Sequence, residues 1–197
     1  MTTFEIGSLI INGFIAIAGF SAIIIYKAQK RDRVKTAATI VISQIDSIEG
    51  VIKDLQGNNP LTNEIVYKSK PILDYNVWSQ SKYLLSKKLG GDNVRLIENF
   101  YAQAEEIEKS RKAICHELII AWEHKDYILQ KHIAEISNLA EEQRLKAMMD
   151  FNNRFEGNSK VFSPQLPINI LLHNLSQFKC LLGTSAYEKL RKMSYHS

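Results

Sequence analysis

The sequence predicts an all-α protein: a single N-terminal transmembrane helix, a heptad-like stalk continuous with it, and a cytosolic bundle of about four to six helices. Three observations carry this. Ile6–Tyr26 is a run of 21 residues without a charge. Apolar residues recur at alternating spacings of four and three from Val34 to Leu55. The 65 residues from Asp92 to Glu156 contain neither Gly nor Pro. Strand-type alternation is sustained nowhere. The expected divisions are an anchor at 1–26, a basic juxtamembrane segment and stalk at 27–56, and the bundle at 57–197.

At 1.5 Å per residue the first run spans about 31 Å, close to the hydrocarbon thickness of a bilayer. Its only polar side chains before Tyr26 are Ser8, Asn12 and Ser21. Ala16-Ile17-Ala18 has the form of a signal-peptidase site, but Met1–Glu5 hold no Lys or Arg, and the apolar run continues past Ala18. A signal peptide carries its positive charge before the run. Here Lys27, Lys30, Arg31, Arg33 and Lys35 follow it. The positive-inside rule then places the N-terminus outside and the C-terminal domain in the cytoplasm of an inner or plasma membrane. The five basic residues are the expected lipid-headgroup contacts. On a helical wheel Ser8, Asn12, Ala16 and Gly19 fall within an arc of about 80°. Small residues on one face allow close helix approach in lipid, and Asn bonds across such an interface, so this is the expected self-association face.

The chain carries net charge +4. Residues 27–35 contribute +4 and residues 1–26 contribute −1, leaving +1 for 36–197. The basic excess is juxtamembrane, and no nucleic-acid footprint is visible in the body. Cys115 and Cys180 lie in apolar helical patterns and read as small buried hydrophobes in a reducing compartment.

After the anchor, Val34, Ala38, Val41, Ile45, Ile48, Ile52 and Leu55 form an a/d seam over three heptads, and no proline falls between Lys27 and Gln56. The seam packs either in trans, as a coiled coil, or in cis against later helices. Ile40 and Ile42 widen it. Gly57 and Asn58-Asn59-Pro60 end the helix. Residues 57–73 read as a connector with a short turn at Glu64–Tyr67. A helix from Asp74 to Leu89 is broken by Gly90-Gly91, and Asp92 can cap the next. The long Gly- and Pro-free stretch is expected to break at Asp126 or, better, at Asn138, which has Glu141 three residues on. A loop at 157–167 leads to a helix from about Asn169 to Leu182. Ser185 with Glu188 boxes a last helix.

No titratable cluster in the sequence has the spacing of a catalytic or metal site. His116, His124 and His132 are eight residues apart, a turn of about 80° each time, so they share no close face. No H-E-x-x-H occurs, nor the paired E-x-x-H of di-iron bundles. Glu105-Glu106 and Glu141-Glu142 alternate with Lys109, Arg111, Arg144 and Lys146 and read as solvated ion pairs. Gly90-Gly91 lacks every phosphate-loop pattern, and no serine stands in a nucleophile elbow. No metal, cofactor or catalytic residue is therefore assigned, and an enzyme is not expected. Trp78 with Lys82, and Phe100-Tyr101 with Arg95, read as core at helical spacing rather than as a ligand pocket.

The region VWSQSKYLLSKKLGGDNVRLIENFYAQAEEIEKSRK resembles small bacterial membrane-anchored helical proteins of unknown function, and the resemblance lends no site residues. The expectation is a membrane-anchored, non-enzymatic protein that forms homo-oligomers and binds an unidentified cytosolic protein or small ligand. Its other partner is the lipid bilayer. Nucleic acid is not among the expected partners. The alternative is a membrane-perturbing or pore-forming effector, as in bacterial antiviral defence, triggered by a cytosolic ligand such as a nucleotide.

Overall fold

In the computed structural model residues 3–157 and 165–195 are described, with side chains from 18 to 153 and from 167 to 195. Among the described residues there are seven helices and no strand: α1 Thr3–Gly57, α2 Asn63–Lys68, α3 Val77–Leu89, α4 Gly91–Ile136, α5 Glu141–Gly157, α6 Gln165–Gln177 and α7 Ser185–Tyr195. No helix among the described residues is long and apolar enough to cross a membrane. Of the expected span Ile6–Tyr26, the side chains up to Ile17 lie outside the described residues.

Local chemistry fixes the helix ends. The Thr62 hydroxyl accepts from the Ile65 amide at 3.3 Å and starts α2. Asn76 Oδ1 accepts from the Ser79 amide at 3.0 Å, so α3 begins at Val77 rather than at Asp74. Gly90 closes α3 at φ 81°, a backbone region that other residues enter at a steric cost. The long stretch breaks at 137–140, as the Asn138 signal suggests. The cap position falls on Ala140, however, whose carbonyl accepts from the Arg144 amide at 2.9 Å. α6 begins four residues earlier than Asn169, because Pro167 falls in its first turn, where amides have no intrahelical partner. It ends at Gln177, short of Leu182. Thr184 takes the cap expected of Ser185: its Oγ1 accepts from the Tyr187 amide at 3.4 Å.

The chain divides into two compact units, each assembled from separated stretches. The first comprises residues 1–46, 76–98 and 181–197. Here Val34, Ala38, Val41 and Ile45 of α1 are buried, as are Trp78, Leu85 and Leu89 of α3 and Ala186 and Leu190 of α7. The Val77 amide donates to Gln44 Oε1 at 3.1 Å, and the Tyr187 hydroxyl donates to Asp46 Oδ1 at 2.8 Å. The second unit comprises residues 47–75 and 99–180. Ile48, Ile52 and Leu55 are buried there with Phe100, Tyr101, Ala104 and Ile107 of α4 and Leu171 and Leu175 of α6. Gln56 Nε2 donates to the Leu175 carbonyl at 2.8 Å, Asn174 Nδ2 donates to Ser110 Oγ at 3.1 Å, and Phe100 packs on Phe178 at 5.4 Å between ring centroids.

All seven seam residues, from Val34 to Leu55, are at most 5% exposed within the one chain. The chain thus supplies the cis partner itself. Ile40 lies outside the covered stripe and is 45% exposed. Ile45→Ala is expected to reduce unfolding free energy by about 2–5 kcal/mol. Ile40→Ala should stay within about 0.5 kcal/mol. Denaturant titration of both variants checks this, and equal losses would mean that the stripe is not the packed face.

Candidate functional site

Three features stand out from the packed core. The first is the start of the described part of α1. Residues Ala18–Tyr26 are exposed on every side of the helix, with Phe20 at 72% and Ile23, Ile24 and Ile25 all above half. Burying one such side chain is worth about 1.5–3 kcal/mol, so a contiguous uncovered apolar length marks an interaction surface. Lys27, Lys30, Arg31, Arg33 and Lys35 follow, all exposed. Of the expected self-association face, Ser8, Asn12 and Ala16 have side chains outside the described residues. Gly19 is exposed, with open space where a Cβ would stand.

The second feature is a buried ion pair in the second unit. Arg111 Nε and Nη2 donate to Glu108 Oε2 and Oε1 at 2.8 and 2.9 Å, a bidentate pair one helical turn apart on α4. The Glu108 side chain is 5% exposed and that of Arg111 10%. The Ile72 amide also donates to Glu108 Oε2, at 2.9 Å, which fastens the α2–α3 connector to α4. Burial pushes the Glu108 carboxyl up. The Arg111 hydrogen bonds, the Ile72 amide and the charges of Arg111 and Lys112 outweigh this and hold it below the usual range. Its hydrogen bond to Glu108 raises Arg111. Burial pushes the nearby Cys115 thiol up, opposed by the Arg111 charge. Arg111 is therefore not part of a solvated face. The signal lay in the spacing: Phe100, Ala104, Ile107, Arg111, Ile114 and Leu118 form one stripe, and a charge standing at a stripe position needs a buried partner.

The third feature is the hairpin of α4 and α5. Beyond Leu118 most of α4 is exposed, with Ile120, Trp122 and Tyr127 among its outward apolar residues. His132 stacks on Phe151 at 4.3 Å, and its Nε2 lies 3.3 Å from the Ala147 carbonyl. Ile133, Ile136, Ser137, Glu141, Arg144, Leu145 and Met148 line an open, mainly apolar cleft of about 420 Å³. His116 and His124 are exposed elsewhere on α4, so the three histidines do not converge. Among the described residues no three His, Cys, Asp or Glu could hold a metal ion.

Cys180 corrects the sequence reading: it is exposed and lies past the end of α6. Trp78, Phe100 and Tyr101 are core residues. The Tyr101 hydroxyl is buried with no hydrogen-bond partner among the described residues, and burial raises its pKa. Compared with protein families, with curated proteins and with solved structures, the chain matches none.

Because Glu108 is held below its unfolded-state value, its contribution to stability is present above that value of about 4.3. It is lost as pH falls through the lowered folded value. Glu108→Gln is expected to destabilise the protein by about 1–3 kcal/mol at neutral pH. It should also flatten the decline of stability below about pH 4.3. Urea midpoints measured across the acid range test both parts; an unchanged acid slope would remove Glu108 from the linkage.

Proposed function

We propose that this chain is a membrane-anchored, non-enzymatic α-helical protein that associates with copies of itself in the bilayer and offers its helical body to a cytosolic partner. The observation that carries the reading is the uncovered apolar length Ala18–Tyr26, followed at once by exposed Lys27, Lys30, Arg31, Arg33 and Lys35. In water that length would remain an unpaid hydrophobic cost. In lipid it is solvated, and the basic residues after it stay on the cytoplasmic side of an inner or plasma membrane.

Two further points support the assignment of roles. The seam is occupied within the chain, so association between copies is assigned to the face expected from Ser8, Asn12, Ala16 and Gly19. The exposed apolar residues of the α4–α5 hairpin, with its open cleft, are the surface offered to a partner protein or small ligand. A second reading, a membrane-perturbing effector triggered by a cytosolic ligand such as a nucleotide, draws on Arg144 at the apolar cleft. Depolarisation on expression, abolished by Arg144→Ala, would favour it over the first.

Reporters fused after Ser197 should give a cytoplasmic signal alone, and a periplasmic signal would overturn the orientation. Gly19→Leu should weaken cross-linking between copies in membranes by hindering close approach, with the helical content of the body unchanged. Wild-type cross-linking in that variant would make α1 a tether only.

A further inference from the structure

The two units differ in charge. The first holds twelve Lys and Arg against six Asp and Glu, net +6; the second holds thirteen against fifteen, net −2. The juxtamembrane residues of α1 account for only part of the first unit's excess. The remainder comes from two distant stretches, and the geometry of the unit brings them to one end.

The Val77 amide at the start of α3 bonds Gln44, and α3 clusters with the part of α1 that precedes Ser47. α3 therefore runs back along α1 toward the apolar length. Its 13 residues cover roughly 18–20 Å, which brings Lys87 and Lys88 level with Arg31–Lys35. α4 returns alongside in the opposite direction, with Lys82 paired to Glu98. α7 reaches the same end through Lys189, whose Nζ donates to the Leu89 carbonyl at 3.0 Å, as Asn93 Nδ2 does at 2.8 Å, while Tyr187 of the same helix reaches down to Asp46 of α1. Ser185 Oγ in turn donates to Asn93 Oδ1 at 2.7 Å. On α7, Ala186, Tyr187 and Leu190 are buried, while Lys189, Arg191 and Lys192 are exposed. The acidic residues of this end are fewer: Asp32, Asp92 and Glu188, the last 3.9 Å from Arg191.

We infer that this end of the first unit is a docking face for anionic lipid headgroups, on which Lys87, Lys88, Arg191 and Lys192 extend the contact begun by the juxtamembrane residues of α1. The inference rests on the membrane reading above. The occupant is the leaflet that α1 leaves, because the face lies level with the basic residues directly below the apolar length. A lysine or arginine close to an anionic surface gains about 1 kcal/mol, so four add a contact that a bare tether lacks. The first unit then sits on the bilayer in a fixed orientation.

The test uses the full chain in lipid nanodiscs of phosphatidylcholine alone or with phosphatidylglycerol, read by amide hydrogen exchange. Anionic discs should slow exchange at Ser86–Asn93 and along α7 by about fivefold or more, the factor that corresponds to a single basic contact. Ile48–Leu55 should be unaffected. Lys87→Glu/Lys88→Glu/Lys192→Glu should abolish the difference between lipids. Equal exchange of the inserted wild-type chain in both discs overturns the docking face and leaves the anchor standing. Failure of the chain to enter either disc overturns the anchor and the docking face together. Slowing by a single-stranded oligonucleotide in neutral discs, with none from anionic lipid, would reassign the face to nucleic acid.

Discussion

The burial of one stripe of α1 is the constraint on which the remaining packing depends. Val34 to Ile45 are covered in the first unit and Ile48 to Leu55 in the second. Both units therefore bury apolar residues of the same helix. The alternation of spacings that would suit a two-stranded coiled coil here serves an intrachain contact. A seam satisfied in cis has no surface left for a partner copy, and this separates the face that folds the body from any face that joins copies.

The second unit adds a polar fastening to that apolar contact. Glu108 and Arg111 stand in the buried stripe of α4, and the Ile72 amide completes the carboxylate's shell. A buried pair of this kind adds little net stability compared with an apolar replacement, because desolvation offsets most of the attraction. What it contributes is register. The connector between α2 and α3 buries Ile72 and Leu73, and an amide that must meet a buried carboxylate fixes where that connector crosses α4. Past Leu118 the described contacts are aromatic: Trp122 meets Tyr67 of α2 edge-on at 4.8 Å, and His132 stacks on Phe151 of α5 and lies beside the Ala147 carbonyl.

Much of this architecture was legible in local sequence. The seam from Val34 to Leu55, the stop at Gly57, the turn near residue 65, the Gly90 break and the interruption near Asn138 all follow from spacing, caps and glycine. Such features depend on residues a few positions apart. The misplaced ends have the same origin: Asn76, Ala140 and Thr184 take the cap positions because of backbone geometry that neighbouring polar residues do not announce. The choice between cis and trans packing could not be read, since both use one apolar stripe. The i,i+3 spacing of Glu108 and Arg111 alone does not separate a wet face from a core; only the place of Arg111 in the apolar stripe of α4 marks the pair as buried. The convergence of Lys87, Lys88 and Lys189 depends on contacts about a hundred residues apart, such as that of Lys189 with Leu89.

The separation between Tyr187 and Asp46, 141 residues along the chain, sets the order in which the protein can be completed on the ribosome. The stretch of α1 that carries Val34, Ala38 and Val41 is synthesised early, and α7, which belongs to the same compact unit, is synthesised near the end. At typical elongation rates of about 5–20 residues per second, the stripe waits roughly seven to thirty seconds for that helix. During this interval an apolar stripe next to an apolar run is open to the wrong partner, whether another nascent chain or a holdase chaperone. The order of synthesis thus makes the early part of α1 the segment most in need of cover before the chain is complete.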